Sequence, residues 1–287
     1  LEWLNLDNVG LTDVPDVSGM TSLRYLSMQN NPSLTSLTSG VQYESGGGVV
    51  PVDSPLEDHP SLYSLDLEDC NLTSLAGFGS MAQLDYLDLD DNRLTSLAGL
   101  VGAGNLRQLD VRNNGTLSDI GAIEAAPNLT RLYLSGNNIT TLPPQEVMAT
   151  FTKLTYLNLE SNYALTNEGI APLAGLTNLE ELYMYRASLV DDLSPIQSLV
   201  RIERLSLAAM GITDLDFCTA LVSLDDLNIN DTEVSDLSPL LEISSLNLKT
   251  LHISSLPLSC STTSQSSFID QLQSRGVTVY NIPSGCE

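Results

Sequence analysis

One apolar pattern, L-x-x-L-x-L-x-x-N/C-x-L with other apolar residues standing in for leucine, can be laid on this chain eleven times. Its first positions are Leu1, Leu23, Leu62, Leu84, Leu106, Leu129, Leu154, Leu179, Ile202, Leu224 and Leu248. The steps between them are 22, 39, 22, 22, 23, 25, 25, 23, 22 and 24 residues. A period held over nearly the whole length means stacked supersecondary units sharing one continuous core, since no single unit can bury its own apolar side. Leucine accordingly fills 53 of the 287 positions, while aromatic residues make up 5%. Such a bias is one apolar position rewritten many times.

Within a unit, Leu-x-Leu is a short strand whose leucines point inward and whose intervening residues point outward. The third unit shows the frame without gaps: Leu62, Leu65, Leu67, Cys70, Leu72 and Leu75. The residue at position nine sits where the chain turns away, and an asparagine amide there can satisfy buried backbone groups. Asn31, Asn92, Asn114, Asn137 and Asn162 fill it, with Cys70 as a substitute; later units carry Ala187, Met210, Thr232 and Leu256.

These residues resemble the leucine-rich repeat family. The 22-residue period and segments such as Leu-Thr-Ser-Leu-Ala-Gly-Leu (94–100) and Val-Ser-Asp-Leu-Ser-Pro-Leu (234–240) are similar to the bacterial internalin-type subclass. The resemblance implies an α/β repeat fold: a solenoid with a concave parallel β-sheet and short 3₁₀ or irregular convex turns. It also implies adhesion or host attachment, through contact residues that vary and are not carried over.

The repeats span 1–258, and the 39-residue step places an inserted loop at 38–60, rich in glycine and proline (Gly46, Gly47, Gly48, Pro51, Pro55, Pro60). Insertions of this length are often functional. From 259 the pattern stops. Phe268, Ile269 and Leu272 fall at helical spacing, Gly276 turns the chain, and Val277–Tyr280 reads as a strand. Residues 259–287 are therefore expected to form a C-terminal cap, with Cys260 and Cys286 flanking it as a disulfide pair. Cys70 and Cys218 lie six repeats apart, roughly 29 Å at the ~4.8 Å strand spacing, beyond the ~7 Å that a bridge spans. Both are expected to be buried thiols. At the other end Leu1 opens inside a repeat, so preceding residues or a partner are expected there, because a bare strand edge invites pairing.

The chain carries 36 acidic and 11 basic residues, a net charge of −25. That excess disfavours nucleic acid and anionic membrane surfaces and favours cations or a basic partner. No apolar run reaches the ~18 residues of a membrane helix. A structural disulfide belongs to an oxidising compartment, so the expected location is secreted or cell-surface. Asn-x-Ser/Thr sequons begin at Asn71, Asn114, Asn128, Asn138 and Asn230, although the repeat produces such triplets by itself.

The outward residues are the third, fifth and seventh of each unit. Asp66, Asp88 and Asp110 stack in one column, with Glu68 and Asp90 beside them. Like charges on neighbouring strands repel, which points to a compensating group, a basic partner, or calcium at Asp66, Asp88 and Asp110. Trp3, Tyr25, Tyr86, Tyr133, Tyr156, Tyr183 and Tyr185 map to the same face, seven of the chain's 15 aromatic residues. Tyrosine and tryptophan offer rigid amphipathic contact area, and sugars stack on them.

Catalytic chemistry is not written in the sequence. His59 and His252 are the two histidines, and neither has a recognisable serine or cysteine partner. No phosphate-binding glycine loop, C-x-x-C or H-E-x-x-H occurs. A glycosidase carboxylate pair needs a raised pKa, which a solvated strand surface is expected not to supply. The expected role is a secreted or surface recognition and adhesion module without enzymatic activity, binding a protein or glycan through the concave face. Two other classes compete: a structural subunit that assembles through its N-terminal edge, and an intracellular scaffold similar to phosphatase-regulating leucine-rich repeat proteins.

Overall fold

A Leu-x-Leu triplet gives three residues of strand, too short to stand alone, so each must pair with the same triplet of a neighbouring repeat. The computed structural model shows this pairing. It describes residues 1–38, 42–43, 49–50, 55–243, 247–258, 264–284 and 286. The chain divides into two units, Leu1–Asn138 and Ile139–Glu287. In the first unit the repeat strands are β1 (Trp3–Asn5), β2 (Tyr25–Ser27), β5 (Ser64–Asp66), β6 (Tyr86–Asp88), β7 (Gln108–Asp110) and β8 (Arg131–Tyr133). They pair in parallel in that order, each leucine opposite the next. The insertion in the second repeat adds a two-residue antiparallel pair, β3 (Gln42–Tyr43) with β4 (Val49–Val50).

The second unit repeats the scheme with β9 (Tyr156–Asn158), β10 (Glu181–Tyr183), β11 (Arg204–Ser206), β12 (Asp226–Asn228), β13 (Thr250–His252) and β14 (Thr278–Tyr280). Behind the strands the chain returns through 3₁₀ turns such as Ser194–Ser198 and Asp216–Ala220, or single helical turns such as α1 (Gln145–Met148) and α2 (Asn167–Ile170). After α3 (Pro239–Glu242), the longest helix, α4 (Ser264–Ser274), leads into β14, which pairs in parallel with β13. Ile269 and Leu272 of α4 are buried. Cys260 lies outside the described residues, so the expected bridge does too; Cys286 is buried. Cys70 and Cys218 are free, buried thiols.

The core is the leucine column itself: Leu26, Leu65, Leu87, Leu109 and Leu132 in the first unit and Leu157, Leu182, Leu205, Leu227 and Leu251 in the second are all buried. Each such side chain contributes about 1.5–3 kcal/mol relative to exposure. Turning the chain out of the strand is a polar problem, because carbonyls and amides leave the ladder inside an apolar stack. The asparagines at position nine solve it across repeats. Asn114 Nδ2 donates to the carbonyls of Leu89 (3.0 Å) in the preceding repeat and Val111 (3.1 Å) in its own, while its Oδ1 accepts the Leu94 N–H (2.9 Å). Asn31 and Asn92 repeat the pattern. Cys70 keeps one strand of it, its thiol donating to the Met28 carbonyl at 3.1 Å.

Just before the ladder residue the backbone takes a positive φ in every repeat. Asn8, Asn30, Asp69, Asp91, Asn113 and Gly136 do so in the first unit, and Ser161, Arg186, Ala209, Asp231 and Ser255 in the second. Asparagine, aspartate and glycine tolerate this left-handed conformation, whereas arginine and alanine are held there by the surrounding repeat.

Asn114→Ala leaves the buried Leu94 N–H without its acceptor, while the Leu89 and Val111 carbonyls keep Asn92 and Asn137 as donors, so unfolding stability should fall by on the order of 2 kcal/mol. Cys70→Ala removes only a weak donor and should cost about 1 kcal/mol. Chemical denaturation of the two variants beside the native chain measures the difference.

Candidate functional site

Because successive strand residues alternate between faces, the first and third residue of each strand stand outward and align with those of the neighbouring strand. The register confirms the acidic column residue by residue: Ser27, Asp66, Asp88, Asp110 and Tyr133 lie opposite one another in turn. The same pairing brings Trp3 beside Tyr25, and Ser64 between Tyr25 and Tyr86.

Asp88, Asp90 and Asp110 are not solvated, which corrects the expectation drawn from an open strand surface, while Asp66 and Glu68 are half-buried. Asp88 is 7% exposed and Asp110 3% exposed, and Asp90 is buried as well. At about 4.8 Å between strands, flanking side chains leave little room for water over a short aspartate. Tyr86 lies over Asp88, its hydroxyl donating to Asp88 Oδ2 at 2.6 Å, while the Asp90 N–H donates to Oδ1 at 3.0 Å. Burial pushes the Asp88 carboxyl up to about 6, with Asp110 and Asp66 adding to the rise. Burial likewise raises Asp66, Glu68 and Asp90 above the usual carboxylate range.

The group that compensates the column is Arg112. Its Nε donates to both oxygens of Asp110 (2.8 and 2.9 Å), and Nη2 pairs with Asp110 at 2.7 Å and Asp90 at 3.2 Å. The guanidinium lies 5.6 Å from the centre of the Tyr133 ring. Arg112 had no role in the sequence reading above; the signal that could have found it is a lone cation at the outward position seven of the repeat that ends the aspartate column. Among the described residues, Glu68, Asp90 and Asp91 are three carboxylates whose oxygens converge within 4.8 Å. Asp66 and Asp88 are each held by their own hydrogen-bond donors, and Asp110 by Arg112.

The outward aromatic residues gather in small groups. In the first unit Trp3 stacks on Tyr25 with ring centres 4.9 Å apart, and Tyr63 meets Tyr25 edge-on at 6.0 Å. In the second, Tyr156 and Tyr183 lie 5.4 Å apart, and the Tyr183 hydroxyl donates to Glu181 at 2.8 Å. Glu181 also pairs with Arg204 at 2.6 Å. Tyr185 stands under Arg186 at 4.8 Å. His252 stacks on Tyr280 of the closing strand at 4.9 Å and lies 3.9 Å from Asp226. Tyr183, Arg204, Asp226 and His252 line one open cavity of about 330 Å³. His59 is elsewhere, buried in the inserted segment, where desolvation lowers its pKa. Among the sequons, the Asn71 and Asn128 amides donate to the carbonyls of Pro32 and Gly104, both at 2.6 Å, Asn114 is in the ladder, and Asn138 is exposed.

Asp88 makes the face sensitive to pH in a defined direction. Its acid form is favoured in the folded chain, so below about 4 both folded and unfolded states are protonated and it has no effect. Stability is lost as pH rises from about 4 to about 6, and the cost is full above that. Asp88→Asn keeps the Asp90 N–H bond at its amide oxygen, reverses the Tyr86 bond so that its amide donates to the phenol oxygen, and should stabilise the protein by about 2–3 kcal/mol at pH 7.5. The gain should vanish near pH 4, as urea titrations at the two pH values would show.

Family models agree with the repeat reading. One, described as leucine rich repeats in two copies, matches residues 104–145 and 127–168; another, a leucine rich repeat, matches 60–115. No curated protein sequence matches the chain. Among solved structures, an internalin from Listeria monocytogenes superposes with a TM-score of 0.66 at 19% identity, over 97% of this chain and 79% of that one. A Leptospira interrogans leucine-rich repeat protein gives 0.60 at 20% identity, over 96% and 94%. A Listeria monocytogenes internalin C2 gives 0.50 at 28% identity, over 57% and 69%. Periodic leucines, asparagine ladder, the family models over residues 60–168 and the superpositions converge on a leucine-rich repeat fold similar to that of the internalins.

Proposed function

We propose that this chain is a secreted or cell-surface recognition module that binds a protein or glycan ligand through the outward face of its strands. The fold suits it to protein binding. The observation that carries the reading is the placement of rings where a core would not put them. Trp3 packs on Tyr25, and Tyr156 against Tyr183, on an outward surface. Pre-ordered aromatic side chains supply contact area at low entropic cost, and such residues dominate interface energetics. The acidic column, charged but locally braced by Arg112, favours a ligand with basic groups. No helix among the described residues is long and apolar enough to cross a membrane. A face of charges and stacked rings supports binding.

Screening the intact chain against surface proteins and glycans, beside Tyr156→Ala/Tyr183→Ala and Trp3→Ala/Tyr25→Ala, tests the face. A ligand should be captured, and at least one pair should weaken it by about tenfold or more without lowering the melting temperature. A ligand indifferent to both pairs overturns the reading. Concentration-dependent oligomers without any ligand would favour the structural subunit that assembles through its N-terminal edge.

Compartment is tested by thiol chemistry. If Cys260 and Cys286 are bridged, the denatured, unreduced chain should take up alkylating reagent at Cys70 and Cys218 only, and at all four cysteines after reduction. Labelling of all four without reduction would favour the intracellular scaffold.

A further inference from the structure

Strands β1, β2 and β5 of the first unit border an open cavity of about 310 Å³ whose lining includes Trp3, Tyr25, Asp7 and Asp66. Trp3 is 63% exposed and nearly parallel to Tyr25, so a broad aromatic surface faces solvent beside two carboxylates. Those carboxylates are held by neutral donors. Asp7 accepts from the Asn5 amide (2.7 Å), the Ser27 hydroxyl and the Gln29 N–H (3.0 Å). Asp66 accepts from the Gln29 side-chain amide and the Glu68 N–H (3.2 Å). Among the described residues no cationic group pairs with either.

Asp88 is likewise held by neutral donors, but several other carboxylates have a cation beside them. Asp85 has Arg107, Asp90 and Asp110 share Arg112, Glu181 has Arg204 and Asp225 has Lys249. The cavity is therefore a place where the outward face keeps acidic charge without its own cation. A neighbouring ring shows what fits such a wall: Arg24 lies 5.3 Å from the centre of Tyr63, which itself packs edge-on against Tyr25.

We infer that this cavity receives the cationic side chain, lysine or arginine, of a partner protein, with the cation over the Trp3 and Tyr25 rings and paired to Asp7 and Asp66. Ring faces attract cations electrostatically, and an ion pair in a half-enclosed site is screened less than one in open solvent. A neutral sugar would also stack on the rings but would leave both carboxylates without a counter-charge. The inference rests on the outward face being a binding surface and names the chemistry of one part of it.

Trp3 is the chain's sole tryptophan, so its fluorescence reports on this cavity alone. The probes are tetra-lysine and tetra-arginine, with tetra-glutamine and a neutral oligosaccharide as controls. The cationic peptides should change Trp3 emission saturably, and more weakly as salt is raised. Asp7→Asn/Asp66→Asn should reduce that affinity about tenfold. Asp13→Asn/Asp16→Asn, which removes equal charge from exposed positions outside the cavity, should change it less than about twofold. Should the first double variant melt early, Trp3→Leu/Tyr25→Leu read by calorimetry must show the same loss.

An absent or unsaturable response, equal weakening by both charge variants, or a response to the sugar alone overturns the inference. A screened ligand lost in Tyr156→Ala/Tyr183→Ala while the peptides fail here would sink only this assignment. A peptide response without any screened ligand would do the reverse.

Discussion

Backbone that leaves a strand inside a leucine stack carries amides and carbonyls with no strand partner, and each one left unsatisfied costs about 1–3 kcal/mol. The asparagine ladder removes that cost by spending one side chain on two repeats at once. Asn31, Asn92 and Asn114 each tie the carbonyl at position six of their own repeat to that of the repeat before and accept an amide from it as well. Stacking is thereby a hydrogen-bonded relation as well as an apolar one. Where the ladder gives way to Ala187, Met210 and Leu256, the second unit relies on packed apolar volume at the same position.

The outward face follows from that rigidity. Strands held in register place like charges side by side whether or not their electrostatics agree, and the chain resolves the conflict locally. One arginine serves Asp110 and Asp90, one tyrosine hydroxyl serves Asp88, and the Asp88 carboxyl rises toward neutrality. A face built this way has a charge that depends on its neighbours and on pH, rather than on the count of carboxylates in the sequence.

Much of this was legible beforehand. Each repeat strand begins at the third residue of the pattern and ends at the fifth, so the facing columns could be written down from spacing alone. The asparagine positions and the closing helix and strand were equally visible. What spacing does not encode is depth. The aspartates alternate outward, yet the pleat is too narrow for water once Tyr86 and Arg112 fold across them. Nor does the period announce that His252 meets Tyr280, because Tyr280 belongs to the closing segment outside the repeat frame. The left-handed residue at position eight was half visible, in Asn8, Asn30, Asp69 and Asp91, and hidden at Arg186 and Ala209, where the fold overrides local preference.

That left-handed position divides every repeat into two kinds of chain. From the first leucine through the strand to the ladder residue, the residue count is constant in all eleven repeats; the variation in step from 22 to 39 lies entirely behind it. Length and recognition are thus uncoupled. New segments can be accepted on the return path, as the β3–β4 insertion has been, without shifting any outward column by a residue. The face can in turn be rewritten one side chain at a time without retuning the turns that support it.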